Sequence, residues 1–180
     1  MEEETKKIIS LVSRYVILIL VAIPNLYIFY KIFTPVTVNL VYYSLKIFFD
    51  VSLSANTISF NPSCLAIELI PACIAGSAYY LLMLLNFSTS NITLIKRIIL
   101  LIISFLGFLI LNVIRIDILS VLLLRGSDYF DFSHRLSWYL VSTVLVVVIW
   151  FSEVKLFKIK EIPVYSDIKY LLIKSKLVEE

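Results

Sequence analysis

The chain has 180 residues, 61% of them hydrophobic and 16% charged, with a formal net charge of +3 and a mean hydropathy of +0.98. Soluble domains are roughly half apolar and a quarter charged, so a single core of this size could not hide so much apolar surface. The bilayer is therefore the expected solvent, and so small a net charge gives no compositional support to nucleic-acid binding.

The first thirty residues, MEEETKKIISLVSRYVILILVAIPNLYIFY, are too long and too polar at their head for a cleavable signal peptide, and no small-residue cleavage site follows the apolar run. Residues 8–30 read as a membrane helix kinked at Pro24. Thr34 before Pro35 reads as the N-cap and first position of a second helix. That segment, 34–49, is interrupted by Asn39 and Lys46 and is short for a span, which suits an interfacial or half-inserted helix. Residues 50–65 turn to Ser, Asn and alternating apolar positions, a loop with room for a short strand pair. Three long apolar segments follow, 66–86, 98–123 and 136–157, with no internal repeat. The expected fold class is an all-α integral membrane protein of about four transmembrane helices plus one partial or interfacial helix. Residues 1–160 would form the polytopic membrane domain and 161–180 a basic cytosolic tail.

Lysines set the orientation. The tail after Trp150 carries Lys155, Lys158, Lys160, Lys169, Lys174 and Lys176, which places it inside by the positive-inside rule. Counting spans backwards puts the 125–135 loop outside, the Lys96-Arg97 loop inside and the 50–65 loop outside. The N-terminus, with Lys6 and Lys7, is inside if residues 34–49 do not span. Two glycosylation sequons, Asn86-Phe87-Ser88 and Asn91-Ile92-Thr93, fall in the inner loop and are discounted there.

The cysteines, Cys64 and Cys73, lie nine residues apart, ~13 Å along a helix, so a disulfide would need the chain to bend. One histidine and no CxxC give no metal site, and no cofactor is expected. On the expected topology Cys73 lies about seven residues below the outer end of its helix, ~10 Å deep. Arg115 lies about eight residues short of the outer end of the next one, ~12 Å deep. His134 begins the last span from the same side. Each has an ordinary alternative. Cys73 can be a packing residue, Arg115 can snorkel or pair with Asp117 or Glu68, and His134 can be a loop histidine. Asn112, one turn from Arg115, can make an interhelical hydrogen bond; Gly76 and Ser77 can serve small-residue helix packing. Yet an arginine inside a span costs ~2.5–3.5 kcal/mol even on the lenient scale and is functional by default. Together the three form a constellation for acyl transfer: a thiolate nucleophile, a cation that stabilises the thiolate or an oxyanion, and a proton shuttle.

PACIAGSAYYLL at 71–82, NVIRI at 112–116 and SHR at 133–135, before a tryptophan-bearing last span, resemble the exosortase/archaeosortase family over roughly residues 64–151. The resemblance implies a multi-pass cysteine protease or transpeptidase of the cell membrane with its active site facing outside. Its substrates would be proteins with a C-terminal motif, a hydrophobic helix and a basic cluster, cleaved through a thioester and passed to a membrane lipid acceptor. It places the nucleophile at Cys73, the motif arginine at Arg115 after Asn112, and the third catalytic position at His134, with adjacent Arg135 as its alternative. The common family pattern has a glycine two residues after the cysteine; this chain has Ala75 there, then Gly76. A different class of function, a non-enzymatic membrane substrate-binding or transporter subunit, fits the length and the intramembrane arginine but not the convergence of Cys73, Arg115 and His134.

Overall fold

The computed structural model describes residues 2–63, 65–90, 92–126 and 128–176. Pro24 ends the first helix outright. Lacking an N–H and clashing with the carbonyl four residues back, it separates α1 (Glu2–Ala22) from α2 (Tyr27–Lys46), whose axes bend by 67°. Asn25 and Leu26 make the turn at left-handed φ of 50° and 59°. That turn already starts α2, with Tyr27 N donating to Pro24 O and Phe29 N to Leu26 O. The start expected at Thr34 is thus overturned. Pro35 lies inside the helix, and α2 is one arm of a bent pair rather than a separate partial helix beginning at residue 34.

Three strands follow, β1 (Val51–Ser54), β2 (Thr57–Phe60) and β3 (Leu65–Glu68), antiparallel in the order β1-β2-β3. The fold is mostly helical but not all-α. Alternation drives the sheet: Ile58 and Phe60 are buried while Thr57 and Ser59, which alternate with them, are only half so. Its apolar side closes a core built from Val41 and Leu45 of α2, Ile74, and Leu109 and Val113 further along.

β3 uses residues that the sequence assigns to a span, so the helix of that segment begins at Pro71, not residue 66. It is also broken: α3 (Pro71–Ile74) stops at Ala75, which is left-handed at φ 56° and ψ 49°, and α4 (Gly76–Phe87) restarts at once. Then comes α5 (Leu94–Leu124), 31 residues or about 46 Å long. Ile98, Ile102, Leu106, Ile110, Ile114 and Ile118, four residues apart, form an exposed apolar stripe along it. α6 (Phe130–Leu136), a five-residue π turn (Ser137–Val141) and α7 (Ser142–Leu156) abut without a gap, and α8 (Tyr165–Lys176) ends the described chain.

Four separate spans are not found. Among the described residues α5 alone is long and apolar enough to cross a membrane as one helix, or two crossings if the bent α1–α2 pair counts as one. The other expected spans are shortened or split, at Ala75 and at the π turn.

A second core joins α2, α4, α5 and α7. Phe33 stacks on Tyr79 with centroids 3.7 Å apart, and Tyr79 meets the edge of Phe108 at 4.9 Å, with Val146 and Ile149 against them. Between the two cores a ring, not a backbone, needs the small residue at position 76. A Cβ on Gly76 would stand 2.8 Å from Cε1 and Cζ of Tyr30. Gly76→Ala should therefore cost about 1–3 kcal/mol, read as a lower unfolding midpoint in detergent. Tyr30→Leu in the same chain should recover most of the loss. Unchanged stability in Gly76→Ala alone would show that the ring yields freely.

The tail is not a loose appendage. Asp167 of α8 pairs with Arg14 at 2.9 Å and accepts from the Tyr15 hydroxyl at 3.1 Å, while Val164 N donates to Ser88 O at 2.9 Å.

Candidate active site

Cys73 is the third residue of α3, in its first turn. The depth of ~10 Å reckoned from a helix starting at residue 66 is thereby corrected: only Pro71 and Ala72 precede Cys73 in helix, after β3 and a two-residue link. Cys73 and Arg115 meet nonetheless. Left-handed Ala75 interrupts the helix, and the Cys73 carbonyl accepts instead from Asn112 Nδ2 at 3.0 Å and Arg115 Nη2 at 3.1 Å. Both donors sit one turn apart on α5, so a single helix face grips the backbone that carries the thiol.

The rest of the guanidinium reaches the last helical run. Arg115 Nη1 donates to the Ser142 hydroxyl and, at 3.5 Å, to the Ser137 carbonyl. Ser137 opens the π turn and Ser142 follows it. On a regular α-helix, residues five apart would diverge by about 140°, whereas a π turn brings them nearer one face; such turns recur at functional sites. The acidic partners open to Arg115 on sequence grounds do not take it. Asp117 accepts from the Ser44 hydroxyl at 2.7 Å, and Glu68 is exposed at the end of β3. Among the described residues no carboxylate forms an ion pair with Arg115.

His134 lies in the last turn of α6, its ring stacked on Phe130 at 5.6 Å. Cys73, Arg115, His134, Ser137 and Ile70 share the wall of a cavity of about 40 Å³. That is room for one small group, not a peptide. Exposed Arg135 is not on this wall. Cys64 lies outside the described residues.

Two donors of these lining residues stand out. Arg115 Nε and Ser137 Oγ are buried and have no hydrogen-bond partner among the described residues. Each such orphan costs roughly 1–3 kcal/mol unless something polar arrives to meet it. Ser137 is absent from the candidates that the sequence suggests, because only the π turn carries it to Arg115.

A separate polar cluster lies toward the α8 end of the molecule. Glu153, 1% exposed, accepts from the Ser104 hydroxyl and, at 3.4 Å, from Asn86 Nδ2, which also donates to Ser104 Oγ at 3.1 Å. Asn86 is fully buried, so the first sequon offers nothing to a glycan; Asn91 of the second lies outside the described residues.

In comparisons with protein-family models, curated proteins and solved structures, the chain has no match.

Proposed function

We propose that the chain is a membrane-embedded cysteine transpeptidase that cleaves a C-terminal sorting signal on surface proteins and transfers them to a membrane acceptor. One observation carries this reading: two buried, unpartnered donors, Arg115 Nε and Ser137 Oγ, belong to residues that line one cavity with Cys73 and His134. A carbonyl oxygen that becomes an oxyanion would satisfy both donors at the moment its charge develops. Fixed donors in a water-poor site are worth most there.

The steps balance with these groups. His134 takes the Cys73 proton, and the thiolate adds to the scissile carbonyl, whose oxygen turns to Arg115 Nε and Ser137 Oγ. Collapse breaks the C–N bond; the departing amine takes the proton from His134, and a thioester remains on Cys73. An acceptor amine then attacks the thioester, gives its proton to His134 and expels the thiolate, which recovers a proton. Asn112 touches no reacting atom in this scheme. It is a positioning residue for the Cys73 backbone.

Several features support the membrane setting. Exposed apolar faces run along α1 (Val16, Leu20), α5 and α7 (Val144, Val148, Phe151). In this reading the α1–α2 pair, α3–α4, α5 and the 130–156 run, jointed at its π turn, would make four crossings. Lys6, Lys7, Arg97 and the tail gather at one end, around one cavity, as the positive-inside rule asks of a cytosolic face. Cys73 and His134 lie toward the other. The likeness of 71–82, 112–116 and 133–135 to exosortases and archaeosortases points the same way. The substrate's own hydrophobic helix would dock beside α3–α4, and a lipid amine would approach from the leaflet.

Excluding water protects a reactive acyl intermediate from hydrolysis. The new C-terminus of processed substrate should therefore carry the mass of an acceptor on nearly all molecules, read by mass spectrometry of surface proteins from expressing cells. A free carboxylate on nearly all of them, with acceptor lipid present, would make the protein a membrane protease instead.

A further inference from the structure

At the end away from Cys73, the first turns of α1, the segment around Ser90 and the stretch leading into α8 enclose a cavity of about 590 Å³. Its size is that of a ligand site, which typically spans roughly 300–1,000 Å³. Among the described residues four cations reach its wall, Lys6, Lys7, Arg14 and Arg97, against two carboxylates, Glu161 and Asp167. Asp167 is spent on Arg14. Arg97 is 5% exposed, and its guanidinium bonds the carbonyls of Asn86, Phe87 and Thr89, neutral groups that fix it without cancelling its charge. Lys6 and Lys7 are exposed on the rim. Hydroxyls of Ser10, Ser166 and Tyr170 stand among these charges, while that of Ser90 donates to Glu161 at 3.5 Å.

We propose that this cavity binds a phosphate-bearing anion. Excess positive charge, an arginine locked in place by backbone carbonyls, and several hydroxyl donors suit an oxygen-rich anion that accepts many hydrogen bonds. The chemistry has two sources, an anionic phospholipid headgroup and a free phosphate compound. The site stands independently of the transpeptidase reading; only the lipid source relies on that end facing the cytosolic leaflet, where anionic headgroups draw basic clusters. Because the walls come from both α1 and α8, a bound anion would tie the tail to the first helix and raise the stability of the whole.

The test uses the full chain in neutral detergent and follows its unfolding temperature with added short-chain phosphatidylglycerol, matched phosphatidylcholine or inorganic phosphate. Phosphatidylglycerol should raise the midpoint, and phosphatidylcholine should not. In the Lys6→Gln/Lys7→Gln double variant, changed at exposed positions that folding does not need, the half-saturating concentration should rise at least tenfold. High salt should weaken the effect in the wild type. A shift with inorganic phosphate that also competes with the lipid assigns the site to a soluble ligand; a shift with the lipid alone assigns it to the headgroup. The proposal fails if neither anion moves the midpoint, if phosphatidylcholine moves it equally, or if the double variant responds as the wild type does.

Discussion

Cys73→Ala should abolish signal cleavage, with substrate accumulating at its unprocessed mass and the rate falling by roughly a thousandfold or more. The thiol is the one group on the cavity wall whose thiolate can form a thioester acyl intermediate. The variant should still fold. Cys73 is only half-buried and packs at the edge of the core beneath the sheet, so trimming its side chain removes little contact. Its backbone carbonyl, the atom held by Asn112 and Arg115, remains in place. Cys64→Ser should process substrate at the wild-type rate. Activity that is lost with Cys64 and kept without Cys73 would reverse the assignment of the nucleophile.

What could be read from the sequence, and what could not, divides along the range of the forces involved. Pro24 and the alternating residues 51–60 are local signals, and both were kept by the fold as a helix break and a hairpin. Leu65, Ala66 and Ile67 form an apolar run that hydrophobicity alone cannot assign to strand or helix. Pairing decides it, with Ile67 opposite Ile58 and Leu65 opposite Phe60. The break at Ala75 has no sequence mark, since alanine pays roughly 1–2 kcal/mol for a left-handed backbone that glycine adopts freely. Here Asn112 and Arg115 stabilise the broken turn through the Cys73 carbonyl.

The site was visible in proportion to how much its residues violate their surroundings. Arg115 sits about two-thirds of the way along a 31-residue apolar helix, and such a charge announces itself. Glu153 breaks the same rule, but near the end of its segment it reads as a boundary charge, and only the fold shows it buried against Ser104 and Asn86. Matching depths brought Cys73 and Arg115 together on paper through a helix that does not start where it was expected. They meet because the break at Ala75 leaves the Cys73 carbonyl to side-chain donors. Ser137 needed the π turn, and that has no compositional signature.

Arg115→Lys should cost at least about a hundredfold in turnover while the protein still inserts and folds, because removing one fixed oxyanion donor typically costs that much. Lysine keeps the charge but not the planar fork. One ammonium cannot reach the Cys73 carbonyl, the Ser142 hydroxyl and the Ser137 carbonyl together and still aim a donor where Nε lies. A second readout separates the two roles open to the arginine. If its charge chiefly sustains the thiolate, lysine should preserve much of the turnover, and Arg115→Met should lose turnover and Cys73 alkylation rate together. If its donors chiefly meet the oxyanion, Cys73 should alkylate at nearly the wild-type rate in the lysine variant while turnover collapses. The orphaned Nε and Ser137 Oγ favour the second outcome, and Ser137→Ala should then reproduce part of the loss, with alkylation again unchanged. Wild-type turnover in Arg115→Lys would leave the guanidinium a structural clamp between α3 and the π turn, and the acyl-transfer scheme would lose its oxyanion site.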